Sequence, residues 1–262
     1  RLMIKKAYAD TSGGQCHYRY QSGVSDPIVF LHQTPSSSQM FEAIMQRLQD
    51  HSTYAIDTPG FGQSFHPDHV PTMAEYSDWL METIQSFSID RVHLFGHHTG
   101  SSMAIQIAHD HPDLITSLTL IGPFIATFEE KEEMRKVISS DWGPVEDGSH
   151  LMTVWRLVGN DLGAKGNIEL HHREMLDALR AHASAHQTHE ALWEYDFMKF
   201  FESIKCPMLV MCAPDDVMYP FFHRANELRP DSVNIEIKGK NLEPDLDPDA
   251  IVEHFKSFID NL

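Results

Sequence analysis

The residues best suited to chemistry in this sequence form a short run, Gly96-His97-His98-Thr99-Gly100. A strand-like segment, Val92–Phe95, precedes the run and a helix-like pattern follows it, so the run is a tight turn from a strand into a helix. Its two glycines are required because such a turn brings neighbouring backbone against the central residue. That residue is His98, and a neutral imidazole there can act as a general base on water or on a carbon or hydroxyl acid, and more rarely as a covalent nucleophile.

Alternating strand-like and helix-like segments must position this turn. Segments at 40–49, 72–87 and 100–111 have helical length and spacing, and they lie between short apolar runs that end in turn residues. These runs are Ile28–His32, Tyr54–Asp57, Val92–Phe95, Leu118–Ile121 and Met208–Cys212. The alternation predicts an α/β protein with a mostly parallel central sheet flanked by helices on both faces. Residues 124–205 read as helical throughout, which predicts a core of 1–123 and 206–262 interrupted by a helical cap.

Four motifs, each at the end of a predicted strand, together resemble the α/β-hydrolase superfamily over nearly the whole chain. The run Gly96–Gly100 matches the nucleophile elbow of that family except at its central residue. His32-Gln33-Thr34-Pro35 looks like the His-Gly-x-Pro oxyanion turn, with Gln33 in place of the glycine. The remaining two motifs are Asp57-Thr58-Pro59-Gly60-Phe61-Gly62-Gln63-Ser64, similar to the family's Asp-x-Pro-Gly-x-Gly-x-Ser loop, and Asp216-Val217-Met218-Tyr219-Pro220, which resembles the loop carrying the acid of the triad. The resemblance implies the α/β-hydrolase fold with a helical cap insertion.

The sequence departs from the family pattern at two catalytic positions. His98 stands where the elbow serine is expected, and the loop at 237–248, where the resemblance implies a catalytic histidine, contains none. Counting back from Asp247 places Asn241 at that position, or Leu242 if the loop differs by one residue. Ser-His-Asp acyl transfer therefore cannot be carried over to this chain.

A histidine at the elbow suggests a different pair of catalytic groups. Histidine tolerates the left-handed backbone of an elbow better than most residues, and its side chain is long enough to reach toward the acid loop. We therefore predict a dyad of His98 and Asp216, in which the carboxylate favours the imidazolium while the N-terminus of the following helix disfavours it. Alternatives are a site that binds without catalysing, a loop-capping role for Asp216, and Asp215 as the acid.

The oxyanion turn supplies the other candidate contacts with a substrate. The resemblance places the backbone N–H groups of Thr34 and Thr99 where the family stabilises a developing negative oxygen, although Gln33 alters the turn. His32 is predicted to be a structural histidine beneath this turn, and Asp57 to support a Pro-Gly turn. The predicted site thus comprises His98 and Asp216 as catalytic residues, with Thr34, Thr99, Gln33 and His32 at the oxyanion and substrate position.

The predicted cap is rich in histidine and aromatic residues. Its members are His150, His171, His172, His182, His186 and His189, with Trp142, Trp155, Trp193 and Tyr195. His182 and His186 are four residues apart and share a helix face, but without a third ligand in a known metal pattern we predict no metal. The aromatic residues either line an apolar substrate pocket or form a small core of the cap itself.

Composition narrows the classes of partner. The 262 residues are 42% hydrophobic and 22% charged, as in ordinary globular domains, and the formal net charge of −18 repels nucleic acids and anionic membrane surfaces. Three cysteines, with no pattern of a disulfide framework, and the lack of an apolar leader or membrane segment favour a cytoplasmic location.

Together these features predict an enzyme that acts on a small, partly apolar carbonyl compound, such as an ester, a lactone or the C–C bond of a diketone. A lyase, a decarboxylase or a cofactor-free oxygenase with His98 as general base is the second interpretation, and a noncatalytic small-molecule binding protein is the third. No cofactor is predicted. The substrate and the oligomeric state stay open, with a homo-oligomer as one option.

Overall fold

A single twisted sheet of eight strands forms the centre of the computed structural model, which describes residues 3–138 and 141–262. The spatial order is β1-β2-β4-β3-β5-β6-β7-β8; β1, β2 and β4 pair antiparallel, and all other neighbours pair in parallel. The strands are β1 Lys5–Asp10, β2 Gln15–Gln21, β3 Ser25–Leu31, β4 His51–Ile56, β5 Val92–His97, β6 Ile115–Ile121, β7 Met208–Cys212 and β8 Val233–Glu236.

The mostly parallel sheet predicted from the sequence is confirmed, and each of the five predicted runs coincides with one of its strands. The three strands that the sequence did not reveal, β1, β2 and β8, lie toward the edges of the sheet. Their residues alternate between buried and exposed or are half-exposed, so they lack the continuous apolar runs of the central strands.

Helices cover both faces of the sheet, as predicted. On one face, α2 and α3 pack with strand residues such as Val29 and Leu94 into the larger core, and on the other face α1 and α11 pack against Phe30 and Phe95. The helices outside the stretch between β6 and β7 are α1 Glu42–Met45, α2 Met73–Gln85, α3 Thr99–Asp110, α9 Tyr219–Leu228, α10 Glu243–Leu246 and α11 Pro248–Ile259. A short 3-10 helix at Ser38–Phe41 precedes α1. No helix among the described residues combines the length and apolar character needed to cross a bilayer.

Only helices are found between β6 and β7 in the described residues of this stretch. They are α4 Phe128–Val137, α5 Ser149–Arg156, which continues into a π-helical segment at Leu157–Leu162, α6 Ile168–Arg180, α7 His182–Glu194 and α8 Phe197–Ser203. Trp142, Val154, Val158 and Leu170 form a small core of their own, whereas Phe197 and Phe201 of α8 pack into the main core. The division of the chain into a core and a cap at 124–205 stays a prediction.

Helix α6 is fastened to the rest of the protein by a buried group of charged side chains. Arg173 contacts Glu174 at 2.5 Å and Asp245 of α10 at 2.6 Å. Glu174 also accepts a hydrogen bond from Ser36. Since a buried charge is tolerated when it is paired and hydrogen-bonded, Arg173 is the residue that makes these acids compatible with burial.

Asp177, one turn further along α6, makes the stability of the protein depend on pH. Its carboxyl accepts a hydrogen bond from Ser37 at 2.7 Å. Burial, reinforced by the negative charge of Glu174, raises the pKa of Asp177 to about 7. Because the folded state then holds this proton more tightly than the unfolded chain does, the stabilisation is lost as the pH rises from about 4 through 7.

Asp177→Asn should therefore stabilise the protein more at pH 8 than at pH 5, because the amide stays neutral and can still accept from Ser37. We expect the two gains in the free energy of unfolding to differ by on the order of 2–3 kcal/mol, measured by urea denaturation at both pH values. A gain that is the same at pH 5 and pH 8 would contradict the assignment.

Candidate active site

The turn between β5 and α3 holds His98 in the left-handed region, with φ 47° and ψ −113°. The flanking glycines are needed for close approach: a Cβ on Gly96 would lie 2.5 Å from the carbonyl oxygen of Gly100, and a Cβ on Gly100 would lie 2.2 Å from that of Leu31. Both contacts are with backbone, which cannot move aside. The local sequence therefore forces the central side chain out at the carboxyl edge of the sheet.

His98 and Asp216 are in contact. The Nε2 atom of His98 lies 2.8 Å from the Oδ2 atom of Asp216, and both side chains are buried. The other carboxylate oxygen of Asp216 accepts from the backbone N–H of Met218 at 2.6 Å. Gly122 leaves room for the pair, because a Cβ there would approach both the ring and the carboxylate to 2.5 Å. Asp215, the competing acid, is exposed.

The contact fixes which ring nitrogen is available for chemistry. Burial alone would raise the pKa of Asp216, but the charge and hydrogen bond of His98, with further hydrogen bonds from Glu243 and Met218, bring the pKa below its ordinary value. The ionised carboxylate can only accept, so Nε2 of His98 donates to it. Nδ1 has no hydrogen-bond partner among the described residues, and His98 lines a cavity. A neutral His98 therefore presents an unprotonated nitrogen to that cavity.

The cavity has a volume of about 510 Å³ and lies between the elbow and the helices that connect β6 to β7. Its apolar side includes Trp142, Leu157 and Leu162, and its polar side includes His189, Lys240 and Asn241. Burial lowers the pKa of His189 to about 4, so this ring is neutral at neutral pH. A mainly apolar wall with a few convergent polar groups is typical of a small-molecule site.

The oxyanion turn lies beside the elbow, and its backbone donor is already engaged. The N–H of Thr34 donates to the side-chain oxygen of Thr99 at 2.8 Å, and the two hydroxyl oxygens are 3.0 Å apart. The hydroxyl of Thr34 also lies 3.0 Å from that of Thr188 on α7. The N–H of Thr99 is the first amide of α3 and has no partner within the helix. A negative oxygen in this site would thus meet one free amide, that of Thr99. At the second amide, that of Thr34, it would meet the hydroxyl group of Thr99, which already accepts from that amide.

His32 and Gln33 hold this turn in place. The two ring nitrogens of His32 contact the carbonyl of Gln33 at 2.7 Å and the N–H of Thr58 at 3.0 Å. Burial lowers the pKa of His32, which keeps the ring neutral. The amide of Gln33 donates to the carbonyl of Asn241 at 2.8 Å and so ties the turn to the loop before α10.

Comparison with known proteins agrees with this architecture. The family model described as the alpha/beta hydrolase fold matches residues 26–143. A fluoroacetate dehalogenase from a Burkholderia species is 23% identical over 90% of this chain and 88% of its own length. The enol-lactonase from Burkholderia xenovorans LB400 superposes with a TM-score of 0.79 at 18% identity, covering 97% of this chain and 99% of that structure. The chain has the α/β-hydrolase fold.

Several curated relatives match only part of the chain. A probable lysophospholipase of Arabidopsis thaliana, BODYGUARD 4, is 28% identical over 52% of this chain but only 34% of its own length. The chain spans about a third of the length of the first curated relatives that it matches.

The loop that carries the base histidine in other α/β-hydrolases performs a different task here. Counting residues placed Asn241 at the position of that histidine. The side-chain amide of Asn241 accepts a hydrogen bond from the N–H of Val217 and donates one to the carbonyl of Asp161, both at 3.0 Å. It thus joins two loops that border the cavity. The residue of this loop that reaches the dyad is Glu243, two positions further on.

Sequence reasoning missed Glu243 and its partner His97. Nε2 of His97 lies 3.0 Å from Oε2 of Glu243, and neither side chain has any exposed surface. The available signal was a histidine as the last residue of a buried strand, together with an acid in the loop where the family has its base. Neither feature has meaning until the fold brings the two loops together.

The cap histidines do not form a cluster with metal-binding geometry among the described residues. His171 instead stacks on Trp155, with ring centroids 3.6 Å apart, and its Nε2 atom is hydrogen-bonded to the backbone carbonyl of Trp155. Trp142 fits both predicted roles, because it lines the cavity and belongs to the small core, whereas Trp193 and Tyr195 pack in the main core, which the sequence did not predict.

Proposed function

We propose that this α/β-hydrolase is an enzyme that hydrolyses a small, partly apolar carbonyl compound, such as an ester, a lactone or the C–C bond of a diketone. The observation that supports this most directly is the His98–Asp216 contact, which leaves Nδ1 of His98 unpaired at the cavity. The apolar wall of the cavity suits a substrate with an apolar part. The similarity to an enol-lactonase is compatible with an ester or lactone bond.

In the proposed reaction His98 acts as a general base rather than as a nucleophile. Nδ1 takes a proton from a water molecule while the water oxygen attacks the carbonyl carbon. The carbonyl oxygen becomes negative and is held by the N–H of Thr99 and by the hydroxyl groups of Thr99 and Thr34. Asp216 stabilises the imidazolium, which then returns the proton to the leaving oxygen or carbon as the bond breaks. No further acid is needed, because the proton taken from water is the one that the leaving group receives.

One observation favours a second candidate, a lyase, decarboxylase or cofactor-free oxygenase. The N–H of Thr34 is bonded to the hydroxyl of Thr99, so the two-amide oxyanion hole used for tetrahedral intermediates is only half free. An enolate carries less localised charge on its oxygen and needs fewer donors. In this reaction His98 would abstract a proton from carbon.

Isotope labelling separates these reactions. A panel of small esters, enol lactones and β-diketones is incubated with the protein in H₂¹⁸O, and the products are analysed by mass spectrometry. Hydrolysis places one ¹⁸O atom in the acid product, whereas the second candidate shows C–H exchange in D₂O with no solvent oxygen incorporated. Binding of panel members in calorimetry, with every ligand recovered unchanged after long incubation, would overturn the enzymatic proposal and leave a binding protein.

A further inference from the structure

A second buried histidine–carboxylate pair lies directly behind the dyad. His97 and Glu243 contact each other at 3.0 Å with no exposed surface, and the rings of His97 and His98 are 4.4 Å apart. Such a pair costs free energy to bury unless every polar atom gains a partner. The proposed hydrolysis does not use it directly.

Glu243 also contacts the acid of the dyad. The carboxyl groups of Glu243 and Asp216 both lie beside the Cys212 thiol, with one ligand atom of each of the three residues within 4.8 Å of the others. Two buried carboxyl groups this close repel each other strongly when both are ionised, so one of them holds a proton that it can share with the other. Burial, with the negative charge of Asp216, raises the pKa of Glu243 well above its ordinary value, so the proton belongs to Glu243.

The position of the remaining protons follows from the partners of His97. Burial, with the nearby His98 and His32 rings, lowers the pKa of His97 and keeps it neutral. Its Nδ1 atom is buried without a hydrogen-bond partner. Placing the ring proton on Nδ1 would bury an unpaired N–H, whereas placing it on Nε2 makes His97 a donor to Oε2 of Glu243. Oε2 of Glu243 is then an acceptor, which leaves the acid proton to Oε1, the oxygen that also accepts from the backbone N–H of Ala213 at 3.4 Å.

We propose that Glu243 is a positioning residue whose orientation is held by His97. Its protonated oxygen donates a hydrogen bond to Asp216, and this bond limits how strongly Asp216 stabilises the His98 imidazolium. The proposal rests on the proposed role of His98 as the base. A carboxylate that is bonded only to His98 would hold the imidazolium more tightly and would slow return of the proton to the leaving group. A neutral donor on the far side of Asp216 shares its negative charge.

The same atoms could instead surround a metal ion, because donor atoms of His97, His98 and Glu243 lie within 4.8 Å of one another. A histidine that binds a metal through Nε2 normally bonds a protein group or water through its other ring nitrogen. Nδ1 of His97 lacks such a partner in the described part of the chain. The arrangement therefore favours hydrogen bonds that run from His97 through Glu243 to Asp216. A bound metal ion is an outcome that the experiment can detect.

The decisive comparison is between Glu243→Gln and Glu243→Leu, studied without any substrate. In ¹⁵N-histidine-labelled protein, the midpoint of the His98 titration is followed by NMR, with each variant's thermal unfolding as the folding control. Glutamine keeps a neutral donor to Asp216 and an acceptor for His97, so we expect an unchanged midpoint; leucine removes the donor and should raise it by about one pH unit. At pH 8, where Asp177 is largely ionised, the infrared difference spectrum between the native protein and Glu243→Gln should show the C=O band of a buried protonated carboxyl that the variant lacks.

Three results would contradict the proposal, and each can be told apart from the others. A lower midpoint in Glu243→Gln would show that Glu243 carries a negative charge, which overturns the proposal, as does a missing carboxyl band. Stoichiometric zinc in the purified protein that is lost in Glu243→Gln would overturn it in favour of a metal site. If Glu243→Leu does not fold, the Gln variant alone decides. Because these readouts need no turnover, failure of the proposed enzymatic function leaves them unaffected.

Discussion

Replacement of His98 by alanine should lower the rate of turnover by about 10²–10⁴-fold, the usual contribution of a general base. The alanine removes the imidazole that lines the cavity, including the unpaired Nδ1, and leaves the elbow glycines in place. Because the ring contributes to proton transfer and not to the apolar wall, kcat should fall more than KM changes. The measurement is steady-state kinetics on whichever panel compound is turned over.

Two further substitutions test the chemistry of this prediction. Asp216→Asn keeps the shape of the acid but can offer its N–H to Nε2, which places the ring proton on Nδ1 and blocks the base; a loss approaching that of His98→Ala is expected. His98→Ser restores the residue of a standard elbow, yet the loop at 237–248 has no histidine to activate it, so it should also be inactive. Covalent labelling of the native protein by a fluorophosphonate should fail at the elbow.

The matched control is His223→Ala, which removes an exposed histidine from α9. It should leave the rate unchanged. Retention of turnover in folded His98→Ala, within a factor of about three of the native rate, would show that another group is the base.

Replacement of Arg173 by methionine should lower the free energy of unfolding by about 3–5 kcal/mol, the typical cost of removing one partner of a buried ion pair. Methionine fills part of the volume of the arginine but leaves Glu174 and Asp245 without their cation. Both carboxyl groups are largely buried, so water cannot replace the lost charge. Urea denaturation at pH 8 measures the effect.

The size of this loss should itself depend on pH. Burial raises the pKa of Asp245 to about 6 even with Arg173 beside it, so acid readily neutralises this carboxyl. The destabilisation should therefore be smaller at pH 5 than at pH 8. Arg47→Met is the matched control, because the pair of Arg47 with Asp249 is exposed and its loss should change the free energy of unfolding far less. Equal losses for the two arginine variants would contradict the argument from burial.

Local features of the sequence determined the central strands, the sharp turn at the elbow and the pairing of His98 with a particular loop. The strands and the turn follow from short-range physics: continuous apolar runs form buried strands, and glycine is required where backbone approaches a side chain. The strand order then brings the ends of β5 and β7, separated only by β6, to one edge of the sheet. For this reason the contact with Asp216 could be anticipated from motifs alone.

The tertiary structure decided what lies around that pair. The engagement of the Thr34 amide by Thr99, the replacement of Asn241 by Glu243 as the neighbour of the dyad, and the buried His97 partner all depend on how loops distant in sequence fit together. Residue counting fails in such loops because one residue of difference turns a different side chain inward. Burial then sets which groups keep their protons, and burial is a property of the folded protein and not of the residues at 96–100 or 237–248 by themselves.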